Sequence, residues 1–130
     1  MPTITGFHHI ALTVTDVERS AAWYRDLLGM VDVFGGDDEA VRFRVLAHPG
    51  SGCLVGLRQY ADGSADAFDE MRTGMDHLAF GVSSAEELAA WERELADRNV
   101  TFTPAAVTPI GTVVVFRDPD GTQLEFWLPI

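Results

Sequence analysis

The 130-residue chain carries twenty Asp and Glu against nine Lys and Arg, a formal charge of −11 at neutral pH. A field of that sign repels phosphate backbones and anionic bilayers, which argues against nucleic acid and membranes as partners. With 47% hydrophobic and 22% charged residues, the chain has the composition of one globular domain over residues 1–130 rather than a disordered segment. Cys53 is its one cysteine, so no intrachain disulfide is available. No leader-like or membrane-spanning apolar run is present either, and the expected compartment is the cytoplasm.

In chain order, Phe7 to Val14 alternates: Ile10, Leu12 and Val14 fall on one face, His9, Ala11 and Thr13 on the other. That is the period of a half-buried strand. Asp16 is placed to cap a helix over Val17 to Leu28, whose apolar residues Val17, Ala21, Tyr24 and Leu28 recur every three or four positions, with Gly29 as a left-handed stop. Three extended runs follow, about Met30 to Phe34, Val41 to Ala47 and Cys53 to Gln59. They are separated by Gly35-Gly36-Asp37-Asp38 and by His48-Pro49-Gly50-Ser51-Gly52, both turn-forming in composition. The acidic stretch from Tyr60 to Gly74 reads as a linker with a helical turn around Ala65 to Met71. It is either a plain solvated loop or the cover of a site.

The programme then repeats. Asp76 to Val82 is a strand, Ser84 with Glu87 three residues on forms a capping box, Ala85 to Arg98 is a helix and Asn99 its stop. Extended runs follow at about Thr101 to Ala105, Thr112 to Arg117 and Thr122 to Leu128, the last preceded by the turn Asp118-Pro119-Asp120-Gly121. At an offset of 68, residues 9–28 overlay residues 77–96 with nine identities in twenty positions, His9 on His77 and Trp23 on Trp91 among them. Chance alone gives about one, so the chain is a duplication. The expected fold is α+β: two βαβββ modules, about residues 5–59 and 75–130, joined by residues 60–74.

Alternation also assigns polar side chains to faces. His9 lies opposite Ile10, Leu12 and Val14; His77 lies opposite Leu78, Phe80 and Val82; Glu125 lies opposite Leu124, Phe126 and Leu128. If these faces line one concave cavity, His9, His77 and Glu125 converge. Two imidazoles and a carboxylate suit a divalent first-row metal with open positions; alternatively, the histidines only satisfy hydrogen bonds inside a small barrel. Overlaying the last strands of the two modules puts Gly56 where Glu125 would stand, so no fourth, symmetric ligand is expected. Arg58 shares the face of Gly56, where it either meets an anionic substrate or is a solvated strand-end arginine. Gln123 and Trp127 share that of Glu125, and Trp127 either stacks on a planar substrate or packs within the sheet. His8 points away from His9, Cys53 is expected to be a buried, inert thiol, and Trp23 and Trp91 are core or interface residues.

Three segments carry a resemblance that spans nearly the whole chain. They are His9-Ile10-Ala11-Leu12-Thr13-Val14-Thr15-Asp16 with Trp23-Tyr24 and Leu27-Leu28-Gly29, then Asp76-His77-Leu78-Ala79-Phe80-Gly81-Val82, then Phe116-Arg117-Asp118-Pro119-Asp120-Gly121-Thr122-Gln123-Leu124-Glu125-Phe126. Together they resemble the vicinal oxygen chelate superfamily, the glyoxalase, bleomycin-resistance and extradiol-dioxygenase group. The resemblance implies paired modules forming a cup-shaped mixed sheet with helices outside, around a divalent cation that chelates adjacent oxygens of a small-molecule substrate. His9, His77 and Glu125 fall on three of the group's ligand positions; Gly56 stands at the fourth, unlike glyoxalase I enzymes with four protein ligands. The implied cofactor is Fe, Mn, Ni, Co or Zn, and the implied assembly is a homodimer that would share ligands between chains. Two functions stay open: a metal-dependent enzyme of glyoxalase, dioxygenase or thiol-transferase type, and a metal-free binding or antibiotic-sequestering protein. No general base is identified.

Overall fold

The computed structural model describes residues 1–130, which divide into two compact units, Met1–Ala65 and Asp66–Ile130. The first runs β1 (Ile10–Thr13), α1 (Val17–Leu28), β2 (Val31–Asp37), β3 (Val41–Ala47) and β4 (Leu54–Tyr60). The second runs β5 (Leu78–Gly81), α2 (Ala85–Asp97), β6 (Phe102–Thr108), β7 (Gly111–Arg117) and β8 (Gln123–Pro129). Each unit is a four-stranded mixed sheet with one helix, in the orders β1-β4-β3-β2 and β5-β8-β7-β6, and the first and last strands of each unit pair in parallel. The α+β class and the βαβββ repeat expected from the sequence are therefore present.

Local chemistry accounts for the helix limits. Asp16 is extended and its side chain accepts from the Arg19 N–H, while Gly29 takes the left-handed conformation at φ +66°. In the second unit, Ser84 accepts from the Glu87 N–H, and Asn99 adopts φ +56° after the last turn. Helix α1 packs on β3 and β4 through Val17, Ala21, Tyr24 and Leu28, and meets Leu46, Val55 and Leu57 on the buried sheet face. Helix α2 packs on β6 and β8. There Trp91 stacks on Phe126 with centroids 4.3 Å apart, and Phe126 stacks in turn on Phe116 at 4.5 Å.

Four expectations need correction. Residues 7–9 and 76–77 lie ahead of their strands: β1 and β5 each pair at only four positions, with Val55 to Arg58 and with Leu124 to Trp127. Gly35 and Gly36 are not in a turn but inside β2, opposite Arg44 and Phe43. A side chain there would crowd the neighbour: a Cβ at Gly35 would stand 2.9 Å from the Phe43 carbonyl oxygen, and one at Gly36 3.0 Å from the Phe43 ring. The turn comes later, where the Asp38 carboxylate accepts from the Ala40 and Val41 N–H groups. Cys53 is exposed, since it precedes β4 in the turn closed by the His48–Cys53 backbone hydrogen bond and does not share the alternation of Val55 and Leu57.

The fourth correction concerns the linker. No helix forms over residues 65–71, and the expected turn is confined to its end, where the Arg72 N–H donates to the Asp69 carbonyl at 3.2 Å. The Phe68 N–H donates to the Asp120 carbonyl at 2.9 Å, and the Glu70 carboxylate pairs with Arg117. These contacts tie the stretch to the β7–β8 turn, so its backbone bonds run partly to that turn rather than along a helix.

Candidate functional site

The parallel pairings place the site residues at equivalent registers in the two units. In β5–β8, Ala79 lies opposite Glu125; in β1–β4, Ala11 lies opposite Gly56. Glu125 is flanked on β8 by the buried Leu124 and Phe126, whose packing under α2 turns its carboxylate to the other face of the sheet. His77 sits just before β5, with Nε2 3.5 Å from Glu125 Oε2. Its other nitrogen, Nδ1, is 2.7 Å from Asp76 Oδ1.

Donor and acceptor capacities decide what this pair can do. An ionised carboxylate only accepts, so the short Asp76 contact places the His77 proton on Nδ1 and leaves the Nε2 lone pair on the Glu125 side. Two donors each about 2.1 Å from a shared ion stand roughly 3 to 3.5 Å apart at angles near 90–110°. The His77–Glu125 separation fits that range, and one imidazole with one carboxylate suits a first-row divalent cation. Within either unit no group of three or more His, Cys, Asp and Glu side chains is arranged to hold an ion. A site with three protein ligands therefore needs a donor from outside the second unit.

The equivalent histidine of the first unit is His9. It is exposed, and its Nδ1 lies 2.8 Å from Nδ1 of His8 with the rings edge to face, so one ring donates and the other accepts. A Cβ at Gly56 would meet the Ala11 Cβ at 3.4 Å, an ordinary contact, so it is residue choice and not crowding at that atom that leaves the first unit without a carboxylate. Arg58 extends from the same face of β4. Its Nε donates to the Tyr60 hydroxyl at 3.0 Å, and its guanidinium carbon lies 5.3 Å from the Phe43 ring centroid. Trp127 occupies the corresponding place on β8, paired with Gly81 as Arg58 is with Thr13. A Cβ at Gly111 would stand 3.1 Å from Trp127 Nε1, so the indole lies close over that glycine.

Gln123 is engaged at both ends of its amide. Nε2 donates to Asp76 Oδ1 at 3.0 Å and to the Asp76 carbonyl at 3.1 Å, while Oε1 accepts from Arg117 Nη2 at 3.2 Å. Arg117 in turn grips Glu70 with both terminal nitrogens, at 2.9 and 3.1 Å, and donates to the Gly121 carbonyl. That bidentate bond holds the Glu70 carboxyl down at about 2 and raises the Arg117 guanidinium further. The turn beneath is stapled by the buried Asp118, whose carboxylate accepts from the N–H groups of Asp120 and Thr122. Sequence reasoning named Gln123 and missed Asp76, Arg117 and Glu70. The available signals were Asp76 directly preceding His77, and Arg117 facing Gln123 across the hairpin.

Comparison with known proteins follows the same lines. The Glyoxalase/Bleomycin resistance protein/Dioxygenase superfamily model matches residues 6–126. A glyoxylase/bleomycin resistance protein/dioxygenase domain from Frankia sp. EAN1pec is similar in structure, with TM-score 0.91, 36% identity, and coverage of 98% of this chain and 100% of that one. A trivalent organoarsenical cleaving enzyme from Bacillus sp. (strain MD1) is 27% identical over 129 residues, covering 93% of this chain and 71% of the relative. The metallothiol transferase FosB of Staphylococcus saprophyticus is 25% identical over 124 residues, covering 94% and 76%.

Proposed function

Because the chain belongs to the glyoxalase/bleomycin resistance protein/dioxygenase superfamily, we propose that it is a divalent-metal-dependent enzyme acting on a small molecule that presents two adjacent oxygens. His77 and Glu125 are two ligands, and His9, at the repeat-equivalent position, is the third. His9 comes from the same chain or from a second copy in a homodimer. The observation that carries this reading is the His77–Glu125 pair, 3.5 Å apart with the His77 lone pair turned inward by Asp76. Bound there, an Fe, Mn, Ni, Co or Zn ion would act as a Lewis acid toward the chelated oxygens. The relatives named as a metallothiol transferase and an arsenical-cleaving enzyme support metal-assisted chemistry on small molecules.

The remaining roles belong to the protein's own side chains. Arg58, a half-buried cation whose guanidinium lies against the Phe43 and Tyr60 rings, binds an anionic part of the substrate. Trp127 offers a ring face to a planar substrate. Gln123, with both ends of its amide engaged, orients its neighbours instead of reaching for substrate. Gly56 adds no fourth ligand, which leaves coordination positions for substrate, isomerisation, ring-opening oxygenation and nucleophilic addition all being compatible with that opening. A cytoplasmic home agrees with the unbridged Cys53.

The test is metal content. Protein purified without an immobilised-metal column and incubated with each of the five ions should retain close to one equivalent of at least one of them, and His77→Ala should lose it. Retention below about a tenth of an equivalent for all five ions would overturn the proposal in favour of metal-free binding or sequestration.

A further inference from the structure

Asp76 has an exposed side chain, 65% accessible, and an aspartate so placed does not keep one rotamer without help. Its help comes from a chain of contacts in which every link has one polarity. Glu70 only accepts and Arg117 only donates. Gln123 must therefore turn Oε1 toward Arg117 and Nε2 toward Asp76; the flipped amide would set its NH2 against a guanidinium. Asp76, receiving from Gln123, is held where it also receives from His77 Nδ1 at 2.7 Å.

From these contacts we infer that Glu70, Arg117, Gln123 and Asp76 form an orienting relay that selects the Nδ1–H tautomer of His77, which makes the stretch between the two repeats a working part of the site. The inference rests on His77 being a metal ligand, as proposed above. Two carboxylates compete for the one imidazole proton, Asp76 at 2.7 Å from Nδ1 and Glu125 at 3.5 Å from Nε2. With Asp76 held in place, the proton stays on Nδ1 and Nε2 is free to bind. With Asp76 swung into water, the proton moves to Nε2, hydrogen-bonds Glu125 and blocks both ligands together. Asp76, Gln123, Arg117 and Glu70 are thus positioning residues; none is asked to touch substrate.

The experiment reads the tautomer in metal-free protein and, separately, metal affinity. Long-range 1H–15N spectra at about pH 8, where a free imidazole is neutral, should show His77 protonated at Nδ1 in the wild type. Asp76→Asn and Arg117→Met should shift a substantial share of the ring to Nε2–H with unchanged far-ultraviolet circular dichroism. Mn(II) affinity should fall roughly 10–100-fold in Asp76→Asn, the usual cost of losing an outer-shell partner, and by less in Arg117→Met. Should Arg117→Met fail to fold, Gln123→Glu removes the donor to Asp76 at constant size and should give the same shift. A folded Asp76→Asn with wild-type tautomer and wild-type Mn(II) affinity, or a wild type already protonated at Nε2, would overturn the relay. A wild type that retains none of the five ions but whose tautomer responds as stated would refute the metal reading alone.

Discussion

Ser20 sits in α1, fully buried, and its hydroxyl is the one buried side-chain polar atom without a hydrogen-bond partner. Replacing it by alanine should stabilise the protein. An unpartnered buried hydroxyl costs about 1–3 kcal/mol in lost hydration, and alanine is the better helix former by about 0.5 kcal/mol. Against this stands the loss of one oxygen's packing contacts, a few tenths of a kcal/mol at roughly 0.1–0.2 per atom pair. The net is a gain of about 1–3 kcal/mol, and at roughly 3–5 °C per kcal/mol for a chain of this size the melting temperature should rise by about 3–15 °C. The second unit carries Leu88 at the equivalent place, 3% exposed, so Ser20→Leu is the informative companion. Two extra heavy atoms have to fit into the packed side of α1, and overpacking of that kind costs about 1–3 kcal/mol. Urea denaturation followed by circular dichroism measures both. A less stable Ser20→Ala would refute the reasoning, because it would mean that the hydroxyl has a partner, the Asp16 carbonyl one turn back being the nearest candidate.

Two further outcomes are expected. Phe126→Ala should cost about 3–5 kcal/mol, since its ring is 2% exposed and stacks on both Trp91 and Phe116; equilibrium urea unfolding that places the loss below 1 kcal/mol would show that this stack does not hold α2 to β8. For Glu70, the folded carboxyl lies at about 2 against an ordinary 4.5, owing first to its hydrogen bond with Arg117. Its contribution is therefore complete above about pH 4.5 and disappears as pH falls toward 2. The stability difference between wild type and Glu70→Gln should accordingly shrink across that window, and a difference that is flat from pH 6 to 2 would sink the assignment.

Much of this architecture is legible in the sequence because the information is local or repeated. Asp16 and Ser84 announce helix starts through their own side chains, and the alternation around Leu12, Leu57, Leu124 and Phe126 separates core from site face without reference to anything distant. The offset between His9 and His77 identifies the modules. What the sequence hides is set by partners far along the chain. The ladder of β1 begins only at Ile10, opposite Val55, and Phe7, fully apolar, lies ahead of it and is exposed. Gly35 and Gly36 look like a turn pair until the approach of Phe43 across the sheet explains them. Arg117 and Glu70 are 47 residues apart, and no period or spacing joins them.

The two repeats have kept one scaffold and divided the chemistry. At the central register of the paired first and last strands, one unit has Ala11 beside Gly56 and the other Ala79 beside Glu125. Two residues further along, the first places Arg58 and the second Trp127. A duplicated module with ligands in both halves would build a symmetric site, favouring tight metal capture over an open coordination sphere. On the reading proposed above, the half without that carboxylate, with the Arg58 cation beside the gap, serves an anionic ligand. The second half carries the carboxylate and, on the inference drawn above, the contacts that orient His77 toward it. Asp76 and Gln123 have no acidic or amide counterpart one repeat earlier, where His8 precedes His9 and Leu54 stands one offset of 69 before Gln123. The relay is thus confined to the unit that kept its glutamate, as expected if its work is to govern which nitrogen of His77 faces Glu125.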